Sequence, residues 1–363
     1  MSDSRRLRAD SGVLHVKGRT YSAREVFQAA DFRGELRSRW REFVVAVARA
    51  RAAEDLDLTL DGEALQALSE EFRYERDLVT AEETEKWLED RGATLEDFDE
   101  YFLRRYWARE LRDAPPPTDV DRPWSAHEPD EAFGIDLMLS GEFFRMAARL
   151  GRRVLAVAAA GENGGPPREA IERERARFTE RSGIRQDGIR TWLSAAGTSP
   201  ASFDELLRLE AVYAEYCRTL LGDQARTRVL RAMRLPLTRL EVETIEVDSL
   251  DAAREAALCV SDDGIEMADL AKEQRYPYRK TDVLLEDLDE DRQTTLLAAS
   301  PGDVLKPINN EGRFEVCRLV RKVEPALSDE KVANRIGESI LDAHFAELTR
   351  EEIRWLIPDE TAA

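Results

Sequence analysis

The sequence predicts an α+β fold that is mostly helical and contains one helical unit in two copies. Three observations support this prediction: a repeated segment, a proline-rich break between the copies, and a change to alternating polarity near residue 236. With 363 residues, of which 42% are hydrophobic, the chain is long enough for two or three domains. The predicted segments are a first helical copy (1–111), a linker (112–133), a second helical copy (134–235), a small α+β domain (236–326) and C-terminal helices (327–363).

The chain starts with a predicted strand or hairpin followed by a capped helix. The stretch "VLHVKGRTYS" is typical of a short hairpin, with Gly18 at its turn. Ser22, with Glu25 three positions later, predicts a capping box, in which side chains satisfy the free N–H groups of the first helical turn. A helix is therefore expected to begin directly after the hairpin.

One motif occurs twice in the helical part of the chain. "WLEDRGATLEDFDE" (87–100) returns as "WLSAAGTSPASFDE" (192–205), and the Trp, Gly and Phe are each displaced by 105 positions. Apolar residues at helical spacing favour core packing over a functional site. The two copies extend over roughly 31–111 and 137–222. The predicted core residues of the repeats are Trp87, Phe98, Trp192 and Phe203.

Further helix boundaries follow from capping and breaking residues. Thr80 and Glu83 predict a second capping box, Gly92 predicts a left-handed end to that helix, and Thr94 starts the next one. The linker "RDAPPPTDVDRPWSAHEPDEAF" contains three consecutive prolines, which cannot continue a helix and which stiffen the chain.

The pattern changes after the second copy. "LTRLEVETIEVDS" and "RFEVCRLVRKVE" alternate like half-buried strands, and "SLDAAREAALCV" and "EMADLAKEQ" read as short helices. The C-terminal stretch returns to a helical pattern, with N-caps predicted at Ser328 and Thr349.

Composition limits the partners and the compartment. A net charge of −20 argues against nucleic acid and anionic membrane as partners, because both repel a polyanion. The first 51 residues are net basic and residues 52–100 are strongly acidic, a pattern that suits either pairing within the fold or the guidance of a charged peptide. Three widely spaced cysteines and an N-terminus without an apolar segment predict a cytoplasmic protein with reduced thiols.

Site chemistry alone names no enzyme. His15, His127 and His344 fall in a predicted hairpin, the linker and a helix, and no metal-ligand spacing connects them. Phosphate-binding loops and nucleophile motifs are absent from the sequence. We therefore expect neither a metal nor a cofactor.

The small α+β domain resembles parvulin-type (PpiC-type) peptidyl-prolyl isomerases. "EMADLAKEQ" is similar to their "FxxLAKExS" helix, and "SPGDVLKPINNEGRFEVCRL" is similar to their "xPGxVxxPVxxxxGYHIxKL" ending. "TIEVDSLDAAREAA" occupies the place of their first strand and helix, "HILVxTxEEAxxxL". The resemblance covers about 80 residues and implies a parvulin-like domain over 236–326.

The helical copies resemble the N-terminal domain of SurA-type chaperones. "VTAEETEKWLEDRGATLEDFDEYF" fits the motif "ITxEExxxWLxxxGxSxxxF", and "IRQDGIRTWLSAAGTSPASFDELL" fits it less fully. The resemblance implies that a C-terminal helix packs back on the helical body. The layout is also similar to that of parvulin-related proteins encoded beside ribosomally made peptides destined for modification.

The parvulin resemblance implies a catalytic site whose key residues are replaced here. Parvulins place two histidines on adjacent strands, and the corresponding positions in this chain are Thr244 and Glu315. Prolyl isomerisation has a barrier of about 18–20 kcal/mol, which polar groups in a dry pocket must lower. Because Thr and Glu do not reproduce a neutral histidine pair, we expect isomerase activity to be weak or absent.

The sequence therefore favours a peptide-binding accessory over an enzyme. The expected partner is a precursor or unfolded peptide, as in the maturation of a ribosomally synthesised peptide. Two alternatives stay open: an active prolyl isomerase that uses other residues, and a scaffold that docks a peptide-modifying enzyme. The sequence does not set the oligomeric state. The candidate peptide-binding residues are Met267, Phe314, Cys317, Trp40, Phe43, Tyr101 and Trp107.

Overall fold

A computed structural model describes residues 10–115, 117, 131–161, 165–195, 198–310 and 312–357. Helices dominate this part of the chain and the strands form two small antiparallel sheets, which confirms the predicted α+β, mostly α class. The chain divides into two compact units. The first consists of Met1–Thr219 with His344–Ala363, and the second of Leu220–Ala343.

The first unit contains a three-stranded sheet. Strands β1 (Gly12–Val16) and β2 (Arg19–Ser22) form the predicted hairpin, and β7 (Ile353–Trp355) pairs with the other edge of β1. Lys17 and Gly18 both adopt positive φ, at 48° and 80°, as a two-residue hairpin turn requires. The capping box predicted at Ser22 and Glu25 is present and starts the first helix.

Ten helices of the described residues form the two copies, five in each. The first copy contains α1 (Ala23–Phe32), α2 (Glu35–Asp55), α3 (Gly62–Tyr74), α4 (Ala81–Glu89) and α5 (Leu95–Glu110). The second copy contains α6 (Glu131–Leu139), α7 (Glu142–Ala160), α8 (Arg168–Ser182), α9 (Ile189–Ala195) and α10 (Pro200–Leu220). Left-handed glycines, Gly34 and Gly141, precede the second helix of each copy and fix how the copies align.

The predicted helix boundaries in the first copy are confirmed. Thr80 and Glu83 form a capping box, with N–H···O distances of 2.8 and 3.1 Å. Gly92 lies at φ 70° after α4, and Thr94 forms a capping box with Asp97 at the start of α5. Gly197, the counterpart of Gly92, lies outside the described residues.

Each copy is built around a cluster of three aromatic rings. In the first copy, the ring of Phe72 lies 5.5 Å from that of Trp87 and 5.3 Å from that of Phe98. In the second copy, the matching centroid distances are 4.9 and 5.1 Å. The second set consists of Phe178, Trp192 and Phe203. The structure thus places all four predicted repeat-core residues in these clusters.

The first helices of the two copies are exchanged. Phe32, the last residue of α1, packs into the cluster of the second copy, with ring centroids 4.9 Å from Phe178 and 5.6 Å from Phe203. Leu139, the last residue of α6, is fully buried in the cluster of the first copy. Each copy therefore completes the hydrophobic core of the other.

A larger core lies between the exchanged helices and the three-stranded sheet. It contains buried residues from α1, α2, α6, α7, β1 and β7. Gly151 of α7 faces Ile353 of β7, and a Cβ atom there would lie 2.4 Å from the Ile353 Cδ1 atom. A side chain at this position would therefore require the end of the Ile353 side chain to move.

The second unit is built on a four-stranded antiparallel sheet in the order β4-β3-β6-β5. Its strands are β3 (Arg239–Val247), β4 (Tyr278–Leu284), β5 (Ile308–Asn310) and β6 (Arg313–Val323). Its helices are α11 (Asp223–Ala232), α12 (Leu250–Ser261), α13 (Met267–Gln274), α14 (Glu290–Ala298) and the first part of α15 (Glu330–Glu352). The two predicted strands correspond to β3 and β6.

The predicted N-caps of the C-terminal helix are wrong. A single helix, α15, runs through Thr349, whose hydroxyl donates to the Phe345 carbonyl inside the helix at 2.7 Å. At the start of α15 the Asp329 carboxylate accepts from the backbone N–H of Lys331, so Asp329 takes the role predicted for Ser328. The last residues of α15 belong to the first unit, where His344 Nε2 lies 2.9 Å from the Tyr216 hydroxyl.

Candidate functional site

The positions that correspond to the parvulin histidines lie on one face of the four-stranded sheet. In the register between β3 and β6, Thr244 stands opposite Cys317, and Glu246 stands opposite Glu315. Directly opposed residues of antiparallel strands project to the same face. Thr244 and Glu315 are therefore diagonal neighbours on this face, a spacing that long side chains can bridge.

Glu315 is held by a cation that the sequence did not suggest. Its carboxylate lies 3.2 Å from the guanidinium of Arg292, which projects from α14, and its side chain is only 14% exposed. Glu315 therefore forms a half-buried ion pair beside Thr244, where parvulins carry a neutral histidine pair.

Cys317 lies deeper on the same face and is a poor nucleophile. Burial, with a smaller contribution from the Glu315 charge, raises the pKa of its thiol to about 12. The thiol is therefore protonated near neutral pH, whereas reactive cysteines are thiolates. Cys317 packs with Leu240, Leu296 and Leu319 in an apolar cluster.

The other two candidate residues of this unit lie away from the Thr244 face. Met267 is fully buried in a separate core with Ile245 and Val316, and therefore presents no surface to a peptide. Phe314 is partly buried against the same core. Of the three candidates in the second unit, only Cys317 thus shares a face with Thr244 and Glu315.

A groove of about 740 Å³ runs along the turn that carries the "SPGDV" sequence. Its walls come from the C-terminal ends of α12 and α14 and from residues 302–308. The groove gives the second unit a concave surface beside the "SPGDV" turn.

The candidate residues of the first unit border two cavities. Phe43 and Tyr101 line a cavity of about 870 Å³ in the first copy, here called the first-copy cavity. Trp40 lines a different cavity of about 330 Å³. Trp107 is half-buried, and its ring lies nearly perpendicular to that of Tyr106, which lines the first-copy cavity, with the ring centroids 4.9 Å apart.

The first-copy cavity combines aromatic walls with paired charges. Five helices line it: α2, α3, α5, α6 and the first turn of α7. Arg39 and Arg145 both form ion pairs with Glu142, and Arg105 donates to the Tyr101 hydroxyl at 3.1 Å. The aromatic and aliphatic side chains that line it are Phe43, Leu68, Phe72, Tyr101, Phe102, Tyr106, Leu137 and Leu139.

Asp136 is a partly buried acid of the cavity wall, whereas Glu71, which also lines the cavity, is exposed. Within the described residues, the Asp136 carboxylate has no hydrogen bond or ion pair. Burial raises its pKa to about 6, although the charges of Arg104 and Arg105 act in the opposite direction. The sequence offered one signal that was missed, an acidic residue inside the apolar run "AFGIDLML".

The remaining sequence expectations concern histidines, metals and membranes. His15 contacts Thr20, His344 contacts Tyr216, and His127 lies outside the described residues. Among the residues with described coordinates, no group of three or more His, Cys, Asp and Glu side chains is arranged to hold a metal. No helix in that part of the chain is long and apolar enough to cross a bilayer.

Solved structures similar to this chain are foldases and chaperones of the parvulin and SurA type. The peptidylprolyl isomerase PrsA of Bacillus cereus matches 64% of this chain and 90% of its own, at 11% identity and a TM-score of 0.34. PrsA of Bacillus anthracis matches 55% and 89%, at 12% identity and a TM-score of 0.31. A structure described among SurA-like chaperones of Campylobacter jejuni matches 60% and 89%, at 7% identity and a TM-score of 0.22.

No protein-family profile and no curated protein matches the sequence. The structural neighbours belong to the same families that the sequence resembles. Similarity at these identities and TM-scores assigns neither an activity nor a client to this chain.

Proposed function

We propose that this chain is a chaperone-like protein that holds extended or unfolded peptide segments without isomerising their prolyl bonds. The observation that carries the proposal is the first-copy cavity, a concave site of about 870 Å³ with aromatic walls and several charged groups. Binding sites for small or extended ligands typically combine such apolar walls with a few polar groups that fix orientation.

The proposed lack of catalysis rests on the Thr244 face. An ion pair between Glu315 and Arg292 occupies the place of a neutral histidine pair. The Glu315 carboxylate and the Arg292 guanidinium bind each other. They therefore do not supply the polar contacts that would favour the twisted, less polar prolyl amide. The Cys317 thiol is protonated and offers no alternative nucleophile.

The proposed client is a ribosomally made precursor peptide that undergoes modification in the cytoplasm. The SurA-like and parvulin-like segments of the sequence support a peptide client, and the charge of −20 supports a basic peptide over nucleic acid.

A peptide-modifying enzyme is a proposed second partner. Light scattering of the purified chain with client and enzyme tests both, and a stoichiometric enzyme complex without any peptide binding would favour the scaffold alternative.

A prolyl isomerisation assay tests the proposed loss of catalysis. Uncatalysed exchange of a short Xaa-Pro peptide takes tens to hundreds of seconds. We expect the wild-type chain at micromolar concentration to leave this rate unchanged. A clear acceleration would overturn the pseudo-enzyme proposal.

The double variant Thr244→His, Glu315→His is the matched probe for the same assay. It restores the family residues at two positions on one sheet face. A gain of activity in the variant, but not in the wild type, would identify these two replacements as the cause of the loss. Activity in both would assign catalysis to other residues.

A further inference from the structure

The two copies differ at the place where the first copy has its cavity. The alignment of Gly34 with Gly141 relates the first two helices of each copy by 107 positions, and Phe72 and Phe178 relate their third helices by 106. The repeated Trp and Phe relate the last two helices by 105 positions. Residues that line the first-copy cavity therefore have identifiable counterparts in the second copy.

Charged side chains fill the counterpart of the cavity in the second copy. Arg153 Nε lies 2.5 Å from Glu210 Oε1, and Arg33 Nη1 lies 3.7 Å from the same oxygen. The side chains of Arg33 and Glu210 are only 6% and 9% exposed. Arg33 and Arg149 also bind Glu35, at 2.7 and 3.4 Å, so the group forms one ion-pair network that is buried except at the exposed Arg149 side chain.

The first copy carries small residues at two of these positions. Ala46 corresponds to Arg153, and Ser140 corresponds to Arg33. Both residues line the first-copy cavity. Leu68, a third lining residue, corresponds to Glu174, which is 5% exposed in the second copy. The cavity is therefore open in one copy because the side chains that close the other are missing.

The charged groups of the first-copy cavity indicate which kind of ligand it binds. The five arginines that line the cavity all have a carboxylate or hydroxyl partner; they are Arg39, Arg76, Arg105, Arg109 and Arg145. Asp136 has no such partner among the described residues, and its counterpart in the closed copy is the buried Ala29. The first-copy cavity therefore has a carboxylate, that of Asp136, at the position where the second copy has the methyl group of Ala29.

We infer that the first-copy cavity is the client site of the proposed chaperone and that it takes a peptide segment with a basic side chain beside large apolar ones. Asp136 pairs with the basic group of the peptide. The aromatic walls bind the apolar side chains, and the cation lies against the face of an aromatic ring. The inference rests on the proposed function, because it names the peptide class that the function requires. In the second copy, the ion pairs of Arg153 and Arg33 with Glu210 fill the corresponding space, so the described part of this copy has no equivalent site.

A sealing variant tests this inference directly. Ala46→Arg with Arg105→Glu copies the residues of the Arg153–Glu210 pair into the first copy, since Arg105 corresponds to Glu210. The matched control, Ala160→Arg with Arg208→Glu, makes the same residue changes at exposed positions on α7 and α10 of the same unit. Binding is measured by fluorescence anisotropy with the full chain and a short labelled peptide of Phe, Leu, Lys and Ser.

We expect the sealing variant to lose affinity for the basic peptide by about tenfold or more, and the control to bind like the wild type. A second probe with Gln in place of Lys isolates the charge. Wild type should prefer the Lys peptide, and Asp136→Asn should bind both peptides equally. Equal affinities of wild type and a folded sealing variant for the Lys peptide would overturn the cavity as the site.

The same experiments also cover two other results, a wild type that binds no peptide and a sealing variant that does not fold. If the wild type binds neither probe, the proposed function itself fails. If the sealing variant does not fold, photo-crosslinking of the Lys peptide to the wild-type chain replaces it. Crosslinks on α2, α3, α5 or α6 would support the inference, and crosslinks confined to the second unit would overturn it while leaving peptide binding in place.

Discussion

At Asp136, a single carboxyl group links the stability of the protein to its proposed function. Burial holds its pKa near 6, above its ordinary value of 3.8. A carboxyl group whose pKa is raised by folding destabilises the folded state once it ionises. This cost is absent below about pH 4 and complete above about pH 6, so it is present at neutral pH. Residues that cost stability in this way often belong to functional sites.

We predict that Asp136→Asn increases the free energy of unfolding at about pH 7, by on the order of 2 kcal/mol, and that the gain disappears near pH 4. Urea denaturation at the two pH values measures this. The control is Asp99→Asn, which makes the same residue change at an exposed position on α5. A variant that is less stable than wild type at neutral pH would contradict the assignment of Asp136.

The residue scale also shows where sequence-based site prediction reached its limit. Phe43 and Tyr101 are two of the candidate peptide-binding residues, and both line the first-copy cavity. Met267, a candidate in the segment that resembles the parvulin "FxxLAKExS" helix, is fully buried. Aromatic and sulfur-containing side chains serve cores and binding surfaces alike, and only packing distinguishes them. The sequence signal for Asp136, an acid inside an apolar run, does not place the residue in a cavity, because the cavity is formed by helices from distant parts of the chain.

At the scale of elements, local sequence predicts the helix starts of the first copy and the first hairpin well, but not the start of α15. Capping boxes and left-handed glycines act through hydrogen bonds within one or two turns, so they can be read directly from the sequence. The strands that were missed depend on distant partners. β4 is mostly exposed and does not alternate, and β7 has three residues that pair with β1 at the other end of the chain. Pairing of this kind leaves no local pattern.

Two threonines provide a matched test of capping. Thr80 caps α4, whereas Thr349 lies inside α15 and bonds to the carbonyl four residues earlier. We predict that Thr80→Ala costs about 1 kcal/mol of unfolding free energy. Thr349→Ala should change it by less than about 0.5 kcal/mol, because better helix propensity offsets the lost hydrogen bond. Chemical denaturation of both variants measures the difference.

Equal losses in the two variants, or a larger loss for Thr349→Ala, would contradict the assignment of Thr80 as a cap and Thr349 as an interior residue. The comparison is informative because both changes remove the same atoms from helices of the same protein.

At the scale of the whole molecule, duplication explains both the architecture and the proposed site. Because α1 and α6 are exchanged, each copy depends on the other for a complete core. In such a pair, residues at one site can change in one copy while the corresponding site of the other copy keeps its structure. The buried Arg–Glu network in the second copy and the cavity in the first are the two results of that divergence.

The large negative charge of the chain adds a long-range component to the proposed binding. A net charge of −20 attracts a basic segment before contact, and salt screens this attraction over about 8–10 Å at physiological ionic strength. We therefore predict that affinity for the Lys peptide falls as salt is raised, whereas affinity for the Gln peptide changes little. Anisotropy titrations over a range of salt concentrations measure both, and the same salt dependence for the two peptides would contradict the role of charge.

The central claim is that this protein holds unfolded peptide chains, and calorimetric titration with a permanently unfolded protein tests it most directly. The ligand is a reduced and carboxymethylated protein of basic composition, and the control is the same protein in its native, disulfide-bonded form. We predict saturable binding of the unfolded form, with a Kd on the order of 1–10 µM, and no binding of the native form. Absence of binding to the unfolded form, or equal binding to both forms, would contradict the claim.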